Sequence, residues 1–275
     1  LPQVNWNKLP FGKLFSDHMF TMDYSNGRWL DMSIVPYGNI SLSPANSALH
    51  YGQSCFEGMK AHRNINGSIA LFRPFENAKR FNNSNKRMCI PEINEELFVN
   101  AIIELLAIDH QWVPENLNHS LYIRPFIFAT DPYIGIKPSE SYKFMIFTCP
   151  VGAYYSDSVS VKIETNFSRA VQGGTGSAKA AGNYAAALYP AMLAAEEGFR
   201  QLIWTDAIEH KYIEEAGTMN VIFIIDNILV TPISGDTILN GITKKSVLEI
   251  AKDWGMEVQE RKIEVEEILN SLSML

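Results

Sequence analysis

Lys179 lies in the run Gly173-Gly174-Thr175-Gly176-Ser177-Ala178-Lys179-Ala180-Ala181-Gly182-Asn183-Tyr184, where glycines and small residues surround one amine and an alanine-rich helical pattern follows. Glycine tolerates positive φ and lets a backbone come close to a ligand. A lysine in such a setting can be desolvated, which lowers its pKa and frees the amine to act as a nucleophile. The run is not an ATP-binding phosphate loop, because that motif needs a hydroxyl residue directly after the lysine and Ala180 stands there. Its glycine spacing does not match a dinucleotide fingerprint either. A solvated lysine on a surface loop is the plain alternative.

Three further patterns could act with it. Glu214-Glu215-Ala216-Gly217-Thr218-Met219-Asn220 carries two adjacent carboxylates between strand-like runs. Gly241-Ile242-Thr243 opens a helical pattern, and a helix start offers N–H groups and a dipole to an anion; an ordinary cap is the competing use. From Phe75 the chain reads as a basic helix with Lys79, Arg80, Lys86 and Arg87. Most of these charges form a solvated face, but one could turn inward and fork onto a phosphate. A lysine, a glutamate, an anion-binding helix start and a basic helix are together what pyridoxal 5′-phosphate requires. Its aldehyde takes an amine, its ring nitrogen wants a carboxylate, and its phosphate wants N–H groups and a guanidinium.

The elements that must position these groups follow from periodicity. Ser25-Asn26-Gly27 reads as a hairpin turn. Ile69 to Phe72 reads as a strand ended by Arg73-Pro74, and Phe98, Ile102, Leu105 and Leu106 mark an amphipathic helix within Asn94 to Asp109. Strands are expected at Leu121–Phe126 and at 142–150. Arg124, among apolar neighbours in the first of these, needs an anionic partner, either an internal carboxylate or a substrate's. His50 and Phe56 read on their own as a hydrogen-bonded structural histidine and a core residue. Further on, Val159, Val161 and Ile163 alternate with polar residues as in a half-buried strand. A helix from about Asn183 to Glu197 should end at Gly198, with strands at Leu202–Trp204, 220–225 and 228–230. The helix after Gly241 should bury Val247, Ile250, Ala251 and Trp254.

Composition narrows the function classes. The chain has 275 residues, 47% hydrophobic and 19% charged, with a formal net charge of −7, which argues against nucleic acid as a partner. Cys55, Cys89 and Cys149 are odd in number and far apart, so they suggest a reducing compartment and offer neither a disulfide framework nor metal-ligand spacing. The N-terminal residues lack the regions of a signal peptide, and the apolar strings are of strand length rather than membrane-spanning length. A cytoplasmic protein with no metal and no membrane partner is expected.

Six runs, in order, carry a family resemblance: Phe56-Glu57-Gly58-Met59-Lys60-Ala61, Leu71-Phe72-Arg73-Pro74, Tyr122-Ile123-Arg124-Pro125, Gly173 to Tyr184, Glu215 to Asn220, and Gly241-Ile242-Thr243. They resemble branched-chain amino-acid aminotransferases, class-IV pyridoxal-phosphate enzymes of fold type IV, over nearly the whole chain. The resemblance implies a two-domain α/β (α+β) fold of the D-amino-acid-aminotransferase-like type. A smaller N-terminal α+β domain over 1–151 and a linker over 152–158 would precede a larger β-barrel-like, cofactor-binding C-terminal domain with helices over 159–275. The match stops at Leu275 without the later Gly-Thr turn of the family, so the C-terminal domain is expected to be incomplete.

The resemblance also implies roles. Lys179 would form the Schiff base with pyridoxal 5′-phosphate and move the proton at Cα. Glu215 would pair with the ring nitrogen, with Glu214 a close competitor, and Tyr184 would bond the ring's phenolic oxygen. Arg80 and the amides of Ile242 and Thr243 would hold the phosphate, and Thr218 would lie by the cofactor and the substrate α-carboxylate. Phe56, Tyr122 and Tyr154 would wall the branched side chain, and Arg124 would help receive the side-chain carboxylate of glutamate. Tyr51 and the Ile134-Gly135-Ile136 loop would be shared across a homodimer interface. The implied reaction moves the amino group of leucine, isoleucine or valine to 2-oxoglutarate in two half-reactions, with small amino acids and 2-oxo acids as the only ligands besides the cofactor. A D-amino-acid aminotransferase or aminodeoxychorismate lyase relative, or a non-catalytic structural or partner-binding homologue, are the alternatives.

Overall fold

Asn26 and Gly27 both take positive φ, 51° and 76°, and close the hairpin between strands β1 (His18–Ser25) and β2 (Arg28–Pro36). This hairpin begins the first of two compact units into which the computed structural model divides, Leu1–Ser156 and Asp157–Leu275. The structure describes residues 4–6, 9–152 and 158–272. After the hairpin come helix α1 (Ser47–Tyr51), strands β3 (Ser54–Phe56), β4 (Met59–Arg63) and β5 (Ile69–Leu71), helices α2 (Pro74–Arg87) and α3 (Glu95–Ile108), and strands β6 (Ser120–Ala129) and β7 (Tyr142–Val151). The strands form one antiparallel sheet in the order β2-β1-β7-β6-β4-β5, and β3 shares with β4 the free edge of β6. The chain leaves the ladder between β3 and β4 at Glu57-Gly58, where the Glu57 amide donates to the Pro125 carbonyl.

Helix α3 begins where Asn94 caps it, its side chain accepting from the Leu97 amide. It buries Phe98, Ile102, Leu105 and Leu106, as the spacing predicts. Phe98, Phe81 of α2 and Phe144 of β7 meet with ring centroids 5.5–5.8 Å apart, which pins both helices to the sheet.

The second unit contains β8 (Val161–Glu164), α4 (Ala181–Ala186), α5 (Leu188–Glu196), β9 (Gln201–Thr205), β10 (Ile213–Ala216), β11 (Phe223–Ile225), β12 (Ile228–Thr231), α6 (Ile242–Asp253), β13 (Val258–Glu260) and α7 (Val265–Leu272). β8 runs parallel to β9, which pairs antiparallel with β10; β12 pairs antiparallel with β11 and parallel with β13. Ile203, Ile213, Val230, Ile263 and Ile268 join the two small sheets and α7 in one apolar cluster.

Four details depart from the periodicity. The helix expected over 183–197 is two helices broken at Ala187, because Pro190 has no N–H for the Ala186 carbonyl and its ring crowds that turn. β11 starts at Phe223 rather than Asn220, whose side chain is engaged elsewhere. In β8 it is Glu164 that is buried and Val161 that is exposed; the Glu164 carboxylate accepts from the Asn166 and Phe167 amides and so turns the chain. In α6 Leu248 and Ala251 face inward, whereas Ile250 and Trp254 are exposed.

Candidate active site

Gly173 takes a φ of 75°, and the Gly174 amide closes a turn on the Val171 carbonyl at 2.9 Å. Two turns further on, buried Asn183 ties the loop to itself. Its Nδ2 donates to the Thr175 and Ala178 carbonyls at 2.8 Å each, and its Oδ1 accepts from the Thr175 hydroxyl at 2.7 Å. The Ser177 amide donates to the Asp236 carbonyl at 2.8 Å, fastening the loop to the β12–α6 connection. Gly176 has no room for a side chain, because a Cβ would lie 2.8 Å from the Asp236 carbonyl oxygen and the Thr237 Cα. Lys179, so held, points its Nζ at the Tyr184 hydroxyl, 2.9 Å away, across the first turn of α4.

The two glutamates of β10 have different surroundings. Glu214 accepts from the Thr237 hydroxyl at 2.6 Å through Oε1, and its Oε2 has no partner among the described residues. Glu215 accepts through Oε1 from the Leu239 amide at 2.7 Å and from Asn220 Nδ2 at 3.2 Å. Its Oε2 lies 2.9 Å from Nε of Arg169. That contact is ionic rather than a directed hydrogen bond, since the Arg169 Nε–H does not aim at an acceptor. Burial pushes the Glu215 carboxyl up to about 7, against the downward pull of Arg169, the Leu239 amide and Lys179. Glu214 is raised by burial as well, opposed by Thr237 and Arg169. Lys179 and Glu215 therefore feel each other's charge.

Past β10, Gly217 turns with a φ of 56° and Thr218 stands exposed in the turn. α6 begins at Ile242 after Gly241 with no side chain capping it, so its first amides are open to an anion. Ile242 is buried and Thr243 exposed at that start.

In the first unit the β6 residues Tyr122 and Arg124 share the half-buried face of the strand. The Arg124 guanidinium lies 4.7 Å from the ring centroid of Phe56 and 5.3 Å from that of Tyr122, and its Nη2 donates to the Tyr122 hydroxyl at 3.0 Å. No carboxylate pairs with Arg124 among the described residues. Arg80 does have an internal one. Its Nε and Nη2 fork onto the carboxylate of fully buried Glu57 at 2.7 and 2.9 Å, and Asn77 Nδ2 joins them at 2.8 Å. Tyr51 ends α1 exposed, as do Ile134 and Ile136 in the loop beyond β6. His50 Nε2 donates to the Pro44 carbonyl, 2.7 Å away, as a structural histidine would. Tyr154 lies outside the described residues.

The structure thus brings Lys179 together with Tyr184, and Phe56 with Tyr122 and Arg124. It adds Glu57, Arg169, Asn183 and Asn220, which motif reading passed over. Glu57 and Asn220 stand inside quoted runs, so position within a motif was the available signal; nothing local marks Arg169.

An amine beside a phenol, a buried carboxylate with one oxygen turned to a cation, and an uncapped helix start are the donor set that a phosphorylated pyridine aldehyde fits. The amino-transferase class IV model matches residues 54–275, and the chain belongs to that family. It is 47% identical over 274 residues to branched-chain-amino-acid aminotransferase 2 of Bacillus subtilis (strain 168), covering 98% of this chain and 76% of that one. Among solved structures it resembles the branched-chain amino acid aminotransferase of Escherichia coli, with a TM-score of 0.77 at 26% identity over 91% of this chain and 79% of the other. In fold it also matches the branched-chain amino acid aminotransferase of Thermobaculum terrenum in its PLP-form. That comparison gives a TM-score of 0.76 at 20% identity, over 93% of this chain and 80% of the other. The mixed α/β architecture is that of the fold type IV enzymes.

Proposed function

We propose that this chain is a transaminase that moves the amino group of leucine, isoleucine or valine to 2-oxoglutarate, with pyridoxal 5′-phosphate as cofactor. The observation that carries the reading is the Lys179 amine at 2.9 Å from the Tyr184 hydroxyl in the same unit as buried, Arg169-paired Glu215. When bound, the cofactor supplies an aldehyde for an amine and a cationic ring that delocalises the electron pair left by a departing Cα proton. Lys179 is the base that takes that proton and returns it. Glu215 would hold the proton on the ring nitrogen, and Tyr184 would orient the amine and the ring's phenolic oxygen. The Ile242 and Thr243 amides and Arg80 take the phosphate, and Thr218 lies by the cofactor and the α-carboxylate. Phe56 and Tyr122 offer ring faces to a branched side chain, and Arg124, which has no carboxylate partner among the described residues, receives the second carboxylate of glutamate.

The same reading includes a homodimer, with Tyr51 and the Ile134-Gly135-Ile136 loop contributed by the partner subunit; the exposure of Tyr51, Ile134 and Ile136 supports it. Three free thiols favour a cytoplasmic setting, and among the described residues no helix is long and apolar enough to cross a membrane. The test is the visible absorption spectrum of the purified protein. A cofactor band that falls on adding leucine and returns with 2-oxoglutarate is expected. A band moved by D-alanine and not by leucine would favour a D-specific relative, and a protein that stays colourless with added pyridoxal phosphate would sink the proposal.

A further inference from the structure

Arg169 is 8% exposed at its side chain and is used three times over. Its Nη2 donates to the Gly176 carbonyl of the lysine loop at 2.9 Å and to the Thr237 carbonyl of the β12–α6 connection at 2.6 Å, while Nε faces Glu215 Oε2 at 2.9 Å. The same Thr237 donates its hydroxyl to Glu214. Glu214 also feels the Arg169 charge, and the charged groups acting on Glu215 are Arg169, Lys179 and Glu214. A buried carboxylate with no cation beside it would give up its charge to a proton.

We infer that Arg169 is the positioning residue that ties Glu215 to the Lys179 loop and keeps that carboxylate charged for a cationic ring nitrogen. The inference rests on the assignment of Glu215 to the cofactor's ring nitrogen. It separates two jobs within one side chain. The Nη2 bridge sets where the lysine loop sits relative to residue 237, and so bears on every ligand of the loop alike. The charge facing Oε2 bears only on ligands that place a basic nitrogen there. A guanidinium that served merely as filler for loop carbonyls would do the first job and not the second.

The test uses the cofactor-free protein titrated with pyridoxal phosphate and with its 1-deaza analogue, in which CH replaces the ring nitrogen; Kd is read from absorbance. The measured quantity is the preference, the ratio of the two Kd values. Wild type is expected to prefer the nitrogen-containing ligand, and Arg169→Gln to lower that preference about tenfold. Arg169→Lys keeps the charge, but one ammonium cannot both face Oε2 and hold the two carbonyls that Nη2 reaches, so its preference should stay within about threefold of wild type while both affinities fall together. An Arg169→Gln protein with unchanged preference, or an Arg169→Lys protein that loses it as far, would overturn the inference. Should Arg169→Gln not fold, Arg169→Lys decides alone: loss of preference, or no loss of affinity for either ligand, overturns it. Glu215→Gln separates the two readings. A preference abolished by Glu215→Gln yet untouched at Arg169 removes this inference only, whereas a wild type without preference removes the Glu215 assignment and this inference with it.

Discussion

Glu57 accepts four hydrogen bonds with none of its surface in water: two from Arg80, one from Asn77 at 2.8 Å and one from the Gly58 amide at 3.1 Å. A buried ion pair gains little over a well-packed apolar pair, but removing one partner strands the other and costs about 3–5 kcal/mol. Glu57→Ala should therefore destabilise the protein by about that much, because a guanidinium that is itself largely buried loses its carboxylate. Asn77→Ala, which removes one of four donors and leaves the pair intact, should cost about 1–2 kcal/mol. Urea unfolding of the two variants checks the order, and equal losses would mean that the fork onto Arg80 contributes nothing beyond one hydrogen bond. Arg80 and Arg124 make the contrast at this scale: one arginine of the unit is anchored by an internal carboxylate and the other is left with ring faces and a phenol.

The start of α6 shows how an element depends on a residue in another strand connection. Gly241 has an ordinary φ of −72°, so its conformation does not demand glycine. Its neighbour does, since a Cβ there would run into Oδ1 of Asn220. Asn220 cannot swing away freely, because its Nδ2 is bound to the Leu239 carbonyl and to Glu215. Gly241→Ala should thus displace the first amides of α6, weaken binding of pyridoxal phosphate about tenfold and lower stability by about 1–3 kcal/mol. In an Asn220→Ala background, which has no Oδ1 for that Cβ to meet, Gly241→Ala should cost little further stability, and thermal melts of the single and double variants would show the coupling, while cofactor titration reads the affinity. Elements with local signals were legible in the chain: the Asn26-Gly27 hairpin, α3 with its Asn94 cap, and the helix start after Gly241. Pro190 carries the signal for the break at Ala187. The inward face of α6 was misjudged because Val247 and Leu248 lie only one residue apart, so periodicity alone fits either; tertiary packing selects Leu248 and leaves Trp254 outside. Lys179, Tyr184 and Glu215 were legible as motif positions. Arg169 was not, because its partners lie seven residues on at Gly176 and sixty-eight on at Thr237, a distance no local pattern spans.

Across the molecule the perturbed carboxylates titrate in two separate windows. At Asp131 and Asp206 burial works upward but is outweighed: Ser141 and Ser139 hydroxyls with the Glu140 and Ser141 amides hold the first below its ordinary value, and four amides from Ile208 to Tyr212 hold the second. Glu267 is held down chiefly by its hydrogen bonds from Arg261. These groups contribute stability that is present above their unfolded pKa values and lost as pH falls through the lower folded ones, so they matter only in acid. Glu215 runs the other way. Its carboxyl rises from 4.5 to about 7, so its contribution is complete below 4.5 and is lost as pH climbs through about 7, a swing on the order of 3 kcal/mol. Glu214 shifts in the same direction. His62, lowered from 6.5 chiefly by burial, opposes them, since its contribution is present above 6.5 and lost as pH falls. Glu215→Gln isolates the carboxylate from the histidine. For the cofactor-free protein, the apparent melting temperature of wild type minus that of Glu215→Gln should grow by about 5 °C between pH 7.5 and pH 5. Saturating pyridoxal phosphate should flatten that gradient, because a ring cation at Oε2 stabilises the ionised carboxylate that burial otherwise penalises. Scanning fluorimetry at four pH values, with and without cofactor, reads both effects. A difference that does not change with pH would show that Glu215 carries the same charge throughout, and a gradient indifferent to cofactor would show that the cation does not reach it.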